Sequence, residues 1–85
     1  MSDNGKLSGK RVLVTGSGTG LGAGIALRCA SEGANVAVHY GRSKDGAVKV
    51  VEQIRQMGQH SEAFAADLAN IDEVKSLGKR AKDFP

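Results

Sequence analysis

Glycines and small hydroxyl residues are concentrated in one stretch near the start of the chain, Thr15-Gly16-Ser17-Gly18-Thr19-Gly20-Leu21-Gly22. The stretch follows the apolar run 12–14 and precedes a segment, 21–32, whose composition suits a helix. Where a strand ends in glycines and the chain continues as a helix, free backbone N–H groups and the positive end of the helix dipole lie at one point. This arrangement favours phosphate, so the stretch predicts a site for a nucleotide that carries a pyrophosphate.

Three of these glycines have distinct physical roles at such a site. Gly16 permits a sharp turn away from the strand, Gly20 lets the backbone approach the pyrophosphate, and Gly22 lets the helix pack closely on the sheet. The alternative is a glycine-rich turn that binds no ligand. A phosphate-loop NTPase is disfavoured, because its motif ends in Gly-Lys-Ser/Thr, whereas Leu21, Gly22 and Ala23 occupy the corresponding positions.

The end of the second predicted strand bears on the choice of nucleotide. A carboxylate there would bind the ribose 2′-hydroxyl of NAD and repel the 2′-phosphate of NADP. The sequence instead has Tyr40, followed by Gly41, Arg42 and Ser43. An arginine can donate charge-assisted hydrogen bonds to a 2′-phosphate, each contributing about 1.5–3 kcal/mol. The residues therefore favour NADP over NAD, with an ordinary surface charge at Arg42 as the alternative.

Apolar periodicity places these residues on a regular alternation of strands and helices. The predicted elements are strands over 11–15, 35–40 and 61–66 and helices over 21–32 and 44–57. Gly33 and Gly58 are positioned to end the two helices. Asn70, with Glu73 three residues later, forms a capping-box arrangement that predicts a third helix.

The apolar residues of these helices predict which faces are buried. They are Leu21, Ile25 and Cys29 with Ala26 and Ala30 in the first helix, Ala47, Val51 and Ile54 in the second, and Val74, Leu77, Ala81 and Phe84 in the third. Cys29 is interpreted as a small core residue and not as a nucleophile.

Strands and helices that alternate with short connections imply a parallel sheet with right-handed crossovers. The predicted fold class is α/β, a Rossmann-type doubly wound parallel sheet of which only the first βαβαβα half is present. A complete dinucleotide-binding fold needs about six strands. We therefore expect residues 1–85 to be the N-terminal part of a single NAD(P)-binding domain, and a fragment of a longer chain.

The spacing Thr15-Gly16-x-x-x-Gly20-x-Gly22 resembles the cofactor motif of the classical short-chain dehydrogenases/reductases, a family of nicotinamide-dependent oxidoreductases. The lead-in Leu7-Ser8-Gly9-Lys10 and the triplet Ala66-Asp67-Leu68 are also similar to that family, so the resemblance extends from Leu7 to Phe84. The stretch from Tyr40 to Ser43 is similar to that of the NADP-dependent 3-oxoacyl-carrier-protein reductases. Thr19 stands where many NADP-preferring members carry a second basic residue.

The resemblance implies cofactor contacts at Thr15, Gly16, Ser17, Thr19, Gly20, Leu21, Gly22, Tyr40, Arg42, Ser43, Asp67 and Leu68. In this family Asp67 would accept a hydrogen bond from the adenine amino group, and the alternative is a turn or helix-capping aspartate. We expect Thr15 to brace the loop through its hydroxyl.

No catalytic residue is predicted within this chain. Tyr40 and Lys44 fit the family's Tyr-x-x-x-Lys string. However, the chemistry needs both side chains on one face of a later helix. We interpret this match as a coincidence, because Tyr40 ends a strand. His39 and His60 have no spacing for metal or acid–base work and are interpreted as structural or exposed, so no metal site is expected.

Composition limits the other classes of partner and place. The chain has 85 residues, a net charge of +3, two Phe, one Tyr and no Trp, which argues against a nucleic-acid binder that stacks bases. The only cysteine is Cys29, and no run reaches membrane-spanning length, so a cytoplasmic protein without membrane contact is expected.

The favoured hypothesis is an NADP(H)-dependent oxidoreductase of the short-chain dehydrogenase/reductase type, acting on a small carbonyl or alcohol substrate. This chain would supply its cofactor-binding segment and would be inactive alone, and the full-length protein is expected to form a homo-oligomer, as the resemblance implies. The alternative is a non-catalytic nucleotide-binding or regulatory Rossmann module.

Overall fold

A computed structural model describes residues 7–16 and 20–84 of the chain. Over these residues, strands and helices alternate in the order β1 (Arg11–Val14), α1 (Gly20–Ser31), β2 (Asn35–Tyr40), α2 (Lys44–Gln56), β3 (Ser61–Ala65) and α3 (Ile71–Asp83). The predicted β2 agrees with the observed strand at both ends. The predicted β1, α2 and β3 each extend one residue too far at their C-terminal ends.

The three strands form one parallel sheet in the order β1-β2-β3. Val14 pairs with Val38, and Tyr40 pairs with Ala65, so the carboxyl ends of all three strands lie at the same edge. The predicted fold class is confirmed over the described residues. Loops that follow the strands at this edge are those that bind ligands in open α/β sheets.

The hydrophobic core lies between β2 and the pair α1 and α2. Its buried members are Val14, Ala26, Ala30, Ala34, Val36, Val38, Ala47, Val50, Val51 and Ile54. The predicted buried face of α2 is therefore confirmed. Burial of each large side chain that reaches 0% exposure here, such as Ile54, contributes about 1.5–3 kcal/mol by removing it from water.

The predicted buried face of α1 is only partly correct. Ala26 and Ala30 are buried and Cys29 is half-buried, whereas Leu21 is 82% exposed and Ile25 is 46% exposed. The fully buried residues of α1 are alanines, whose small side chains allow a close approach to the sheet, and the partly buried Leu27 packs beside them. The prediction was wrong for Leu21 and Ile25 because it ranked positions by hydrophobicity and not by side-chain size.

Helix α3 packs on the other face of the sheet, where Ala37 lines a cavity with Gly78 and Ala81. Leu77 and Phe84 are buried and Val74 and Ala81 are half-buried, as the sequence predicts. None of the helices in the described ranges is long and apolar enough to cross a membrane.

Two arginines form hydrogen bonds that join α3 to the sheet. The Arg11 guanidinium donates hydrogen bonds to the carbonyl oxygens of Lys82 at 2.5 Å and Phe84 at 3.0 Å. The Arg80 guanidinium donates to the Ala65 carbonyl at 3.0 Å and lies 5.6 Å from the centre of the Phe64 ring. Carbonyl groups at a helix C-terminus lack intrahelical partners, so the Arg11 contacts also satisfy the end of α3.

Candidate dinucleotide-binding site

The turn after β1, the glycine turn, begins at Thr15 and Gly16 and has the backbone conformation that the predicted role of Gly16 requires. Gly16 has φ +66°, a left-handed conformation that residues with a Cβ rarely adopt. Thr15 and Gly16 are both exposed at the carboxyl edge of the sheet. The predicted contact residues Ser17 and Thr19, together with Gly18, lie outside the described residues.

The N-terminus of α1 is open to a ligand. The helix begins at Gly20, which has φ +24°, and a Cβ built there would meet none of the described atoms within 4 Å. The first turn contains no acidic side chain. Because the first N–H groups of a helix have no intrahelical acceptor, this end presents donors and positive dipole charge to an anion.

One backbone N–H of the predicted pyrophosphate site already donates a hydrogen bond within the protein. The Gly16 N–H donates to Nδ1 of His39 at 3.0 Å. The prediction of free N–H groups at this point is therefore wrong for Gly16, whose part in the site is the turn itself. Among the described residues, the N–H groups at the start of α1 are the donors placed to bind an anion.

The segment after β2 places a cation beside a second helix N-terminus. Tyr40 is the half-buried last residue of β2, and Arg42 is exposed. Ser43 occupies the N-cap position of α2, but its side chain makes no capping hydrogen bond. Tyr40 and Lys44 lie on different elements, at the end of β2 and the start of α2, so they do not form a pair on one helix face.

The segment after β3 forms a hydrogen-bonded turn around Asp67. The Asp67 carboxylate accepts from the Ala69 N–H at 2.9 Å, and the Asp67 N–H donates to Oε1 of Glu73 at 3.0 Å. The turn interpretation of Asp67 is thus confirmed. Asp67 and Leu68 are nevertheless exposed at the same edge as the glycine turn, where a ligand can reach them.

His39 links these segments, which the sequence prediction missed. It is 3% exposed, and its Nε2 lies 2.8 Å from the carbonyl oxygen of Ala66. His39 is buried and His60 is exposed, which agrees with the interpretation of both as structural or exposed, but the link to Gly16 was not predicted. A polar side chain within a buried strand has to find hydrogen-bond partners, and that was the available signal.

The carboxyl edge of the sheet therefore brings three predicted segments together: the glycine turn with the start of α1, the Tyr40–Ser43 segment, and the Asp67–Leu68 turn. Their chemistry is complementary to an elongated anion, with helix N–H donors at one segment and a guanidinium at another. Within the described residues nothing at this edge forms a catalytic pair.

Comparisons with known proteins agree with this geometry. A sequence model of the family described as short chain dehydrogenase matches residues 10–84. The chain is 51% identical over 71 residues to hydroxynaphthalene reductase arp2 of Aspergillus fumigatus, covering 84% of this chain and 26% of that protein. It is also 51% identical over 70 residues to the 3-oxoacyl-[acyl-carrier-protein] reductase FabG of Staphylococcus epidermidis, covering 82% of this chain and 29% of that protein.

Solved structures show the same similarity. A short chain dehydrogenase from Burkholderia cenocepacia, in complex with NADP, superposes with a TM-score of 0.89 at 41% identity, covering 92% of this chain and 32% of that one. The landomycin C-6 ketoreductase LanV, with bound NADP and rabelomycin, gives 0.81 at 39% identity, covering 88% and 31%.

The chain thus spans between a quarter and a third of the length of these relatives. Nearly all of its described residues lie within the family match, and the parallel sheet and glycine turn are those that the family pattern predicts. The chain belongs to the short chain dehydrogenase family.

Proposed function

We propose that this chain is the NADP-binding N-terminal part of a reductase that transfers hydride between NADP(H) and a small carbonyl or alcohol compound. The observation that carries the proposal is the N-terminus of α1, which is open at Gly20 and has no acidic residue in its first turn. The relatives with NADP in their solved structures and those named as reductases support it. No observation favours the non-catalytic alternative.

The residues present fit the pyrophosphate of such a cofactor. The open space at Gly20 would allow close approach of the phosphates to the N–H groups of Gly20, Leu21 and Gly22. Gly16 would aim the loop through its left-handed turn. We propose that Thr15, Ser17 and Thr19 contribute hydroxyl contacts along the same loop.

A 2′-phosphate would fit the segment after β2. The Arg42 side chain is exposed, and the Ser43 hydroxyl makes no bond to its own helix. No carboxylate stands at Tyr40, where one would repel the phosphate and favour NAD. Lys44 adds a second positive charge at the start of α2, against one negative charge at Asp45. The balance favours NADP over NAD.

The adenine would extend toward β3. Asp67 carries a carboxylate of which the Ala69 N–H uses Oδ1, and we propose that the carboxylate also accepts from the adenine amino group. Leu68 is 51% exposed beside it and would cover one side of the ring. The Glu73 contact to the Asp67 N–H would hold this turn in place.

In this proposal the chain binds and orients the cofactor but does not perform the proton transfer. When bound, the nicotinamide supplies or accepts the hydride. The acid or base would be a tyrosine outside these 85 residues. Tyr40 would contact only the adenosine side of the cofactor, because it lies at the end of β2.

The nature of the whole protein follows from the same proposal. We propose that it continues beyond this segment, is cytoplasmic, and assembles as a homo-oligomer. The substrate would be a small organic carbonyl or alcohol compound, since two of the relatives are named as a hydroxynaphthalene reductase and a 3-oxoacyl-[acyl-carrier-protein] reductase.

The test is made on the full-length protein. Calorimetric titration should give a dissociation constant for NADP that is about tenfold or more below that for NAD, because NAD lacks the Arg42 contacts. Consumption of NADPH in the presence of ketone substrates should be visible by absorbance. Tighter binding of NAD than of NADP, or no binding of either, would overturn the proposal.

A further inference from the structure

His39 holds two cofactor-facing segments through its two ring nitrogens. It is the penultimate residue of β2 and is 3% exposed. Its Nδ1 lies 3.0 Å from the backbone nitrogen of Gly16, and its Nε2 lies 2.8 Å from the carbonyl oxygen of Ala66. Both distances are ordinary for hydrogen bonds, so this buried ring is fully satisfied.

The two partners determine which nitrogen carries the proton. The Gly16 N–H can only donate, so Nδ1 must be an unprotonated acceptor. The Ala66 carbonyl can only accept, so Nε2 must carry the hydrogen. The ring is therefore the neutral Nε2–H tautomer, and its two ends are not interchangeable.

These contacts join the carboxyl ends of all three strands. Gly16 comes two residues after the end of β1, and Ala66 comes directly after the end of β3. Gly16 begins the glycine turn that leads to α1, and Ala66 immediately precedes Asp67. The Ala66 N–H also donates to the Tyr40 carbonyl at 3.2 Å, which keeps β3 paired with β2 up to this point.

We propose that His39 is a positioning residue for cofactor binding: its Nδ1 fixes the direction of the glycine turn, and its Nε2 fixes the start of the Asp67 turn. The inference rests on the function proposed above. Gly16 has a left-handed backbone, and its N–H donates across 23 residues to the buried ring of His39. Without an acceptor at Nδ1, the turn loses the bond that orients it toward α1.

Substitution of His39 by asparagine or glutamine can distinguish a positioning role from a role in packing alone. An asparagine Oδ1 lies where Nδ1 lies, so His39→Asn retains an acceptor for Gly16 but does not reach Ala66. A glutamine Nε2 reaches the position of the ring Nε2, so His39→Gln retains the donor to Ala66 but loses the acceptor. Both variants are polar and each removes one of the two contacts, so they form a matched pair.

The experiment measures the dissociation constants for NADP and NAD, and the melting temperature, of the full-length wild-type protein and both variants. We expect His39→Asn to bind both cofactors within about threefold of wild type, and His39→Gln to bind both about tenfold more weakly, the equivalent of one lost hydrogen bond. The two melting temperatures should fall by similar amounts. An equal loss of affinity for NADP and NAD distinguishes the effect of His39→Gln from that of Arg42→Ala, which is expected to weaken NADP binding alone.

Two results would overturn the proposal. Equal loss of affinity in both variants, in proportion to their loss of melting temperature, would show that His39 is only structural. Weaker binding by His39→Asn than by His39→Gln would show that the Gly16 contact does not position the loop. If the wild-type protein bound neither cofactor, the proposed function itself would have failed, which is a separate outcome.

A measurement on the wild-type protein does not depend on the folding of any variant. Nitrogen-15 NMR of the imidazole should show the Nε2–H tautomer, and the Gly16 amide should be protected from hydrogen exchange although Gly16 is exposed. A ring protonated on Nδ1, or a rapidly exchanging Gly16 amide, would contradict the assignment.

Discussion

The N-termini of α1 and α3 lie at the same edge of the sheet but are treated differently by the sequence. At α3, Asn70 accepts hydrogen bonds from the N–H groups of Asp72 and Glu73 at 3.0 and 3.2 Å, and both of these residues are acidic. At α1, the first turn contains no acidic residue and begins with a glycine in open space. The end of α3 is thus capped by its own side chain and carries acidic residues, whereas the described first turn of α1 carries no negative charge that would oppose an anion.

Helix α2 is intermediate between these two cases. Its N-cap residue is Ser43, a favourable type, but the hydroxyl makes no capping bond, and the first turn contains a single acid, Asp45. A favourable N-cap residue therefore satisfies a helix end only when its side chain accepts a hydrogen bond from a backbone N–H of the first turn. The three helix ends differ in the acidic residues of their first turns, with two in α3, one in α2 and none in α1.

The largest effect is expected from filling the open end of α1. Gly20→Val should weaken binding of NADP and NAD by about 100-fold or more, because a branched side chain would occupy the space of the pyrophosphate and would be strained at φ +24°. Calorimetry on the full-length protein measures this. Gly24→Ala, also on α1 and also in open space, serves as the control and should bind as wild type does. A folded Gly20→Val protein with normal affinity would contradict the proposed backbone contact.

Arg42→Ala should weaken NADP binding by about tenfold while leaving NAD nearly unchanged, because only NADP carries the 2′-phosphate. Lys49→Ala removes an exposed positive charge further along α2 and is the matched control for net charge. Dissociation constants for both cofactors provide the measurement. Equal losses for NADP and NAD would show that Arg42 does not recognise the 2′-phosphate.

An acid introduced into the first turn of α1 should make that end resemble α3. Leu21 is 82% exposed, so Leu21→Glu can be accommodated without disturbing the core. We expect NADP to bind about fivefold more weakly to it than to Leu21→Gln, which has the same shape without the charge. The difference should shrink as salt is added, because the interaction is screened. A difference that is independent of salt would argue against an electrostatic origin.

The smallest effect on binding is expected from opening the cap of α3. Asn70→Ala should lower the free energy of unfolding by about 1 kcal/mol, because two N–H groups lose their acceptor. NADP affinity should change by less than about twofold, since this helix end is not a ligand site. Urea unfolding measures the stability, and Asn70→Asp should restore it. A loss of affinity in Asn70→Ala as large as that of Arg42→Ala would mean that α3 contributes to the site.

The alternation of strands and helices could be read from the sequence because apolar spacing and glycine positions agree. Gly33 and Gly58 have φ values of +97° and +90°, and each follows a helix that ends one residue before the predicted end. The capping function of Asn70 was also predicted from its residue type. However, the Glu73 carboxylate accepts from the Asp67 N–H and not from the Asn70 N–H, as a capping box would require. The Asn70 N–H donates instead to the Asp67 carbonyl, and both contacts depend on the path of the preceding turn.

Packing partners and side-chain direction could not be read in the same way. The sequence shows that α1 is apolar, but only the distance between helix and sheet decides that Ala26 and Ala30 form the contact while Ile25 stays exposed. Likewise, the type of His39 says nothing about its partners, because Gly16 is 23 residues away and Ala66 is 27 residues away. Contacts of this kind arise from the strand register, which tertiary folding sets.

The hydrogen bonds from Arg11 to the end of α3 have a consequence for the order in which the chain folds during translation. Arg11 is synthesised early, whereas its acceptors on Lys82 and Phe84 are 71 and 73 residues further along and are synthesised later. Pairing of β1 with β2 requires only the intervening α1, so we expect the glycine turn and its first helix to assemble while translation continues. Helix α3 is then held at the amino end of β1, opposite the carboxyl edge of the sheet that carries the proposed nucleotide site.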